Sequence, residues 1–147
     1  MDVMEGHPRG RKLRVTLDRV QILHSKEPFF QKYSELRLRA RVSTRDNGGI
    51  VTDTVLPESG TLRVAARGEN TLELGTPIFE GWVEEHLEVE LSAAEVDRFS
   101  ENDAYQTYRR VHRRSTAGFV GRYGPGDEKL DAEELADWRV WYTIEEV

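Results

Sequence analysis

The chain of 147 residues contains no cysteine. Disulfide bonds and thiolate metal sites are therefore both excluded. No apolar run approaches the length needed to cross a bilayer as a helix. The first ten residues, Met1 to Gly10, are polar and hold no apolar signal core. These absences lead us to expect a cytoplasmic protein. Hydrophobic residues make up only 37% of the chain and charged residues 33%, which suits a thin two-layer fold whose outward positions are polar. Positive charge is in deficit, with a net charge of −6, so no nucleic-acid partner is expected. Long amphipathic helices alternating with strands are missing, which argues against a doubly wound α/β fold. Enzyme signatures are missing too. There is no Gly-x-Ser-x-Gly elbow, the four histidines (His7, His24, His86 and His112) are scattered, and Gly118, Gly121, Gly124 and Gly126 neither follow a clear strand nor open a helix. A non-enzymatic protein is expected.

What the chain does hold is period-two alternation. Leu36, Leu38, Ala40 and Val42 alternate with Glu35, Arg37, Arg39 and Arg41, the pattern of a half-buried strand. Asp46-Asn-Gly-Gly49 then supplies residues that tolerate positive φ, predicting a hairpin into a strand over Ile50–Leu56. In the segment Lys12–Leu23, residues Leu13, Val15 and Leu17 are out of phase with Val20 and Ile22. A β-bulge near Asp18 would return them to one face. Leu62–Ala65, Leu72–Leu74, Glu85–Leu91 and Trp138–Ile144 read as further strands, with a turn expected at Pro77–Gly81. Seven or eight short strands with frequent turn signals predict an all-β, eight-stranded antiparallel sandwich. We expect one such domain over 12–147 after a flexible lead at 1–11.

Two stretches resist a single assignment. Ser92-Ala-Ala-Glu95 has capping-box spacing and could open a helical turn or an acidic loop. Residues 103–114 fit a short helix through Tyr105, Tyr108 and Val111, or strands and loops. That segment ends in a basic cluster, Arg109-Arg-Val-His112-Arg-Arg114, read as a surface or partner contact.

The acids Glu95, Asp97 and Asp103 follow the strand Leu87–Leu91 at spacings of two and six. Calcium takes about six to eight oxygens from carboxylates, carbonyls and water, and clustered carboxylates repel one another without a cation. The alternative is a solvated acidic loop. This run, with Arg98-Phe99-Ser100 inside it, resembles the third calcium-loop region of C-two domains, a family of calcium- and phospholipid-binding β-sandwiches. Pro77-Ile-Phe79-Glu80 resembles that family's Asn-Pro-x-Phe approach to the same strand. In the first calcium loop the match is looser: Glu27 and Glu35 stand where acids are expected, and the family's Asp-Pro-Tyr is absent.

The resemblance implies a calcium site formed by Glu35, Glu95, Asp97 and Asp103. It implies membrane contact through the aromatic tips Phe29, Phe30 and Phe99, and through the basic row Arg37, Arg39 and Arg41. The rings could instead cap the core, and the arginines could pair with Asp53, Glu73, Glu88 or Glu90. The expectation is an interaction module docking on anionic membranes with calcium's help, peripheral to the membrane. The alternative is a calcium-independent adaptor sandwich that binds another protein.

Overall fold

The computed structural model describes residues 10–23, 33–44, 49–65, 70–96, 103–114, 118–126, 135 and 137–147. Every element among them is a strand: β1 (Arg11–Ile22), β2 (Tyr33–Thr44), β3 (Val51–Leu56), β4 (Leu62–Ala65), β5 (Thr71–Val83), β6 (His86–Glu95), β7 (Asp103–Ala104), β8 (Tyr108–Arg113), β9 (Gly121–Tyr123) and β10 (Trp138–Glu146). They form two antiparallel sheets. One has the order β5-β1-β10-β9. The other has the order β3-β2-β6-β7, with β4 pairing β2 and β8 pairing β6. The fold is the expected antiparallel β-sandwich, with more strands than eight because short pieces such as β7 and β9 also pair.

Alternation builds the core. On β2, Leu36, Leu38, Ala40 and Val42 are buried, and on β6 the inward set is Leu87, Val89, Leu91 and Ala93. These face Leu13, Val15, Leu17, Val20 and Ile22 of β1 and Trp138, Val140, Tyr142 and Ile144 of β10. Full burial of such a side chain contributes roughly 1.5–3 kcal/mol. The bulge near Asp18 is present. The register of β1 shifts between Leu17 and Arg19 against both β10 and β5, so both halves of β1 bury their apolar residues. Thr143 Oγ1 donates to Asp18 Oδ2 at 2.7 Å beside the bulge.

Three sequence expectations need correction. Pro77–Gly81 is not a turn: β5 runs unbroken from Thr71 to Val83. β5 is an edge strand, and its register against β1 shifts between Val15 and Thr16, opposite Pro77. A proline without an N–H is tolerated at such a place. Ser92–Glu95 starts neither a helix nor a loop. It completes β6, because Ala93 and Glu95 keep the inward phase and pair with Leu38 and Leu36. Residues 103–114 form β7 and β8, and the loop-like stretch 118–126 contains β9.

Candidate functional site

The outer face of the six-stranded sheet carries most of the candidate residues. Arg37, Arg39 and Arg41 are exposed on β2, since their neighbours Leu36, Leu38, Ala40 and Val42 take the inner face. The register adds Arg63 opposite Glu35, and Arg109 and Arg113 opposite Glu90 and His86. Among the described residues this face has six arginines against four carboxylates: Glu35, Asp53, Glu88 and Glu90. It is thus a basic face on a chain whose net charge is −6.

Charges alternate in a row across four strands. Asp53 on β3 lies beside Arg41 on β2, then Glu90 on β6, then Arg109 on β8. Two cross-strand pairs tie the face together. Arg39 Nε lies 3.5 Å from Asp53 Oδ1. Arg109 makes a two-bond fork on Glu88, both bonds 3.1 Å, and this hydrogen bonding and the charge of Glu88 raise the Arg109 pKa above its ordinary value. No close ion pair reaches Arg37 or Arg41 among the described residues. The other sheet is more self-neutralised: Arg14 meets Glu80 at 2.8 Å and Glu145 at 3.6 Å, and Lys12 meets Glu80 at 3.8 Å.

The acids expected to hold calcium are divided by the sheet. Glu35 lies on the outer face, one position before Leu36. Glu95 is opposite Leu36 in register and so points inward, where it is 1% exposed. Its Oε1 accepts the Tyr105 hydroxyl. Asp103 pairs with Glu95 through the backbone of β7, which places the two positions side by side. Asp97 lies outside the described residues, as do Phe29, Phe30 and Phe99. Among the described residues no three His, Asp or Glu side chains gather as a metal set.

Nearby, Asp137 accepts the Gln106 N–H through both carboxylate oxygens at 3.2 and 3.3 Å. Its carbonyl accepts the Leu23 N–H at 2.9 Å, and Trp138 Nε1 donates to the Gln106 carbonyl. Asp137 thus fixes the approach to β10 rather than standing free in a loop.

Sequence reasoning missed a second polar group, inside the sandwich. The basic cluster on β8 alternates like any strand, so Arg110 and His112 point inward opposite Val89 and Leu87. His112 is 2% exposed. Its Nε2 lies 2.7 Å from the Tyr142 hydroxyl, which is also 2.7 Å from the Tyr108 hydroxyl. The Tyr123 ring meets the imidazole edge at 4.4 Å and stacks on Tyr142. The Arg110 guanidinium lies over Tyr123 at 5.6 Å. Burial first, and the charge of Arg110 second, lower the His112 pKa from 6.5 to about 3. The imidazole is therefore a neutral member of the core. Burial likewise holds the Tyr142 phenol well above its ordinary value.

Trp141, on the outer face of the four-stranded sheet, offers little open ring. The Arg19 guanidinium covers it at 4.5 Å, its Nε1 donates to the Pro125 carbonyl at 3.0 Å, and the backbone of Gly124 abuts the indole.

No family model matches the chain. No curated protein matches its sequence. A solved structure does match the fold: the first of the C-two domains, domain A, of a plant extended synaptotagmin 1. The likeness covers 96% of this chain and 98% of that chain, with a TM-score of 0.50 and 11% sequence identity. The chain therefore has a C-two-like β-sandwich fold. At this identity the likeness carries the fold and not the contact residues.

Proposed function

We propose that this chain is a non-enzymatic, C-two-like interaction domain that docks reversibly on anionic membrane surfaces. The observation that supports it best is the exposed row Arg37, Arg39 and Arg41 on a sheet face where arginines outnumber carboxylates. Each such residue near an anionic surface adds roughly 1 kcal/mol of attraction. Phe29, Phe30 and Phe99 would add apolar contact, as in the family the sequence resembles. Calcium, if it takes part, would be held chiefly by Asp97 and Asp103. Glu95 faces inward onto Tyr105 and Glu35 lies across the sheet, so neither is well placed to join without rearrangement.

The test is sedimentation with vesicles containing phosphatidylserine, with and without calcium. The wild type should pellet at low salt and be released as salt screens the charges. Arg37→Glu with Arg39→Glu should weaken partitioning at least about thirtyfold, the equivalent of two such contacts. Phe99→Ala should weaken it less. Calcium should strengthen binding of the wild type and not of Asp97→Asn. A protein that stays in the supernatant in every condition refutes the membrane reading and favours the calcium-independent adaptor. The row Asp53–Arg41–Glu90–Arg109 supports that second reading, because alternating charges suit a folded protein partner better than a uniformly anionic bilayer.

A further inference from the structure

β3 ends the six-stranded sheet, and among the described residues no strand pairs its outer edge. The Thr44 N–H donates to the Ile50 carbonyl at 2.9 Å. That bond fixes the phase of the hairpin. Antiparallel pairs alternate between hydrogen-bonded and non-bonded residues, so Thr52, Thr54 and Leu56 aim their backbone groups at β2. Val51, Asp53 and Val55 aim theirs outward. The same three residues place their side chains on the outer sheet face, opposite Ser43, Arg41 and Arg39. Val51 is 52% exposed, Val55 39% and the adjoining Ile50 45%, three of the six large apolar side chains exposed among the described residues. The edge has no proline or lysine within it to discourage pairing.

We infer that β3 is a docking edge for an extended segment of a partner protein. That segment adds as an antiparallel strand and carries the pattern apolar–x–basic–x–apolar. The outward face reads Val51, Asp53, Val55, and charge decides the occupant. The row Asp53–Arg41–Glu90–Arg109 runs minus, plus, minus, plus from the edge inward. A strand added outside Asp53 continues that order only with a cation at the facing position. A second copy of this chain fits worse: a two-fold pairing centred on Asp53 sets Asp53 against Asp53, and like charges directly opposite destabilise a pair. Main-chain bonds to Val51, Asp53 and Val55 would supply affinity, and the three side chains would supply choice of partner. The inference does not rest on the bilayer reading, since it uses the strand edge rather than the arginine row.

The probe is a fluorescein-labelled synthetic peptide, Ser-Val-Thr-Lys-Thr-Val-Ser with blocked ends, followed by polarisation. Its partner has Glu in place of Lys. The wild-type chain should bind the Lys peptide at least tenfold more tightly than the Glu peptide, and Asp53→Lys should invert that preference. Val55→Pro removes one outward N–H and leaves the β2 ladder intact. It should weaken the Lys peptide about tenfold at an unchanged melting temperature. If Val55→Pro fails to fold, the Asp53→Lys inversion still decides the question. Equal binding of both peptides, or no binding by about 1 mM, overturns the inference. So does a dimer in sedimentation equilibrium that Val55→Pro dissociates, which would assign the edge to a second copy.

Discussion

His112 should make this protein lose stability in mild acid. In the folded chain the imidazole lies among Tyr108, Tyr123, Tyr142 and Arg110, and its pKa is lowered to about 3. In the unfolded chain it titrates near 6.5. Between those values the unfolded state binds the extra proton and the folded state does not, so stability falls as pH falls from about 6.5 toward 3. Each pH unit inside that window is worth about 1.4 kcal/mol, so at pH 5 this one side chain costs about 2 kcal/mol. For a domain with roughly 5–15 kcal/mol in total, that is readily seen. Urea unfolding at pH 7 and pH 5 measures it, with His112→Gln as the reference, because glutamine keeps a polar partner for Tyr142 and does not titrate. The carboxylates contribute equally to both proteins, so the difference in slope isolates His112. The wild type should lose about 2 kcal/mol more than the variant over this interval. Parallel losses would refute the argument and mean that His112 is protonated in the fold.

Two further substitutions test the packing. Leu38 is buried on β2 between the sheets, so Leu38→Ala should cost about 2–5 kcal/mol by denaturant unfolding, and a change under about 0.5 kcal/mol would contradict its placement. At Gly124 the backbone has φ +142, and an added Cβ would lie 2.3 Å from Trp141 Cδ1. Gly124→Ala should therefore cost about 1–3 kcal/mol and alter Trp141 fluorescence. An unchanged midpoint and emission would place the indole elsewhere.

The β2 strand, the β1 bulge and the β10 strand were legible because each alternates apolar and polar residues within a few positions. The departures lie where a local signal competes with pairing. Ser92–Glu95 carries the chemistry of a helix cap, yet Ala93 and Glu95 fall opposite Leu38 and Leu36 and extend β6. Pro77 reads as a turn residue, yet it lies on an edge strand where a missing donor is tolerated. The run Arg109–Arg114 hides its own alternation, because inward and outward positions are both basic. Nothing local separates His112 and Arg110 from the exposed Arg109 and Arg113. Their partner Tyr142 lies 30 positions from His112 in the chain. The expected calcium set suffered from the same period-two rule. Glu35 and Glu95 are neighbours across a ladder, but the offset of one residue sends them to opposite faces.

The pairing of β1 with β10 also decides how the domain responds to force. Leu13 lies opposite Glu146, and the Val147 N–H donates to the Lys12 carbonyl at 3.0 Å. The outer ends of the two strands therefore sit side by side at one end of the sandwich. Tension applied through flanking chain at both ends would load the β1–β10 ladder one bond at a time, like opening a zip, rather than shearing all its bonds together. Held between two tethers, the domain would yield early, and the four-stranded sheet would open from its middle.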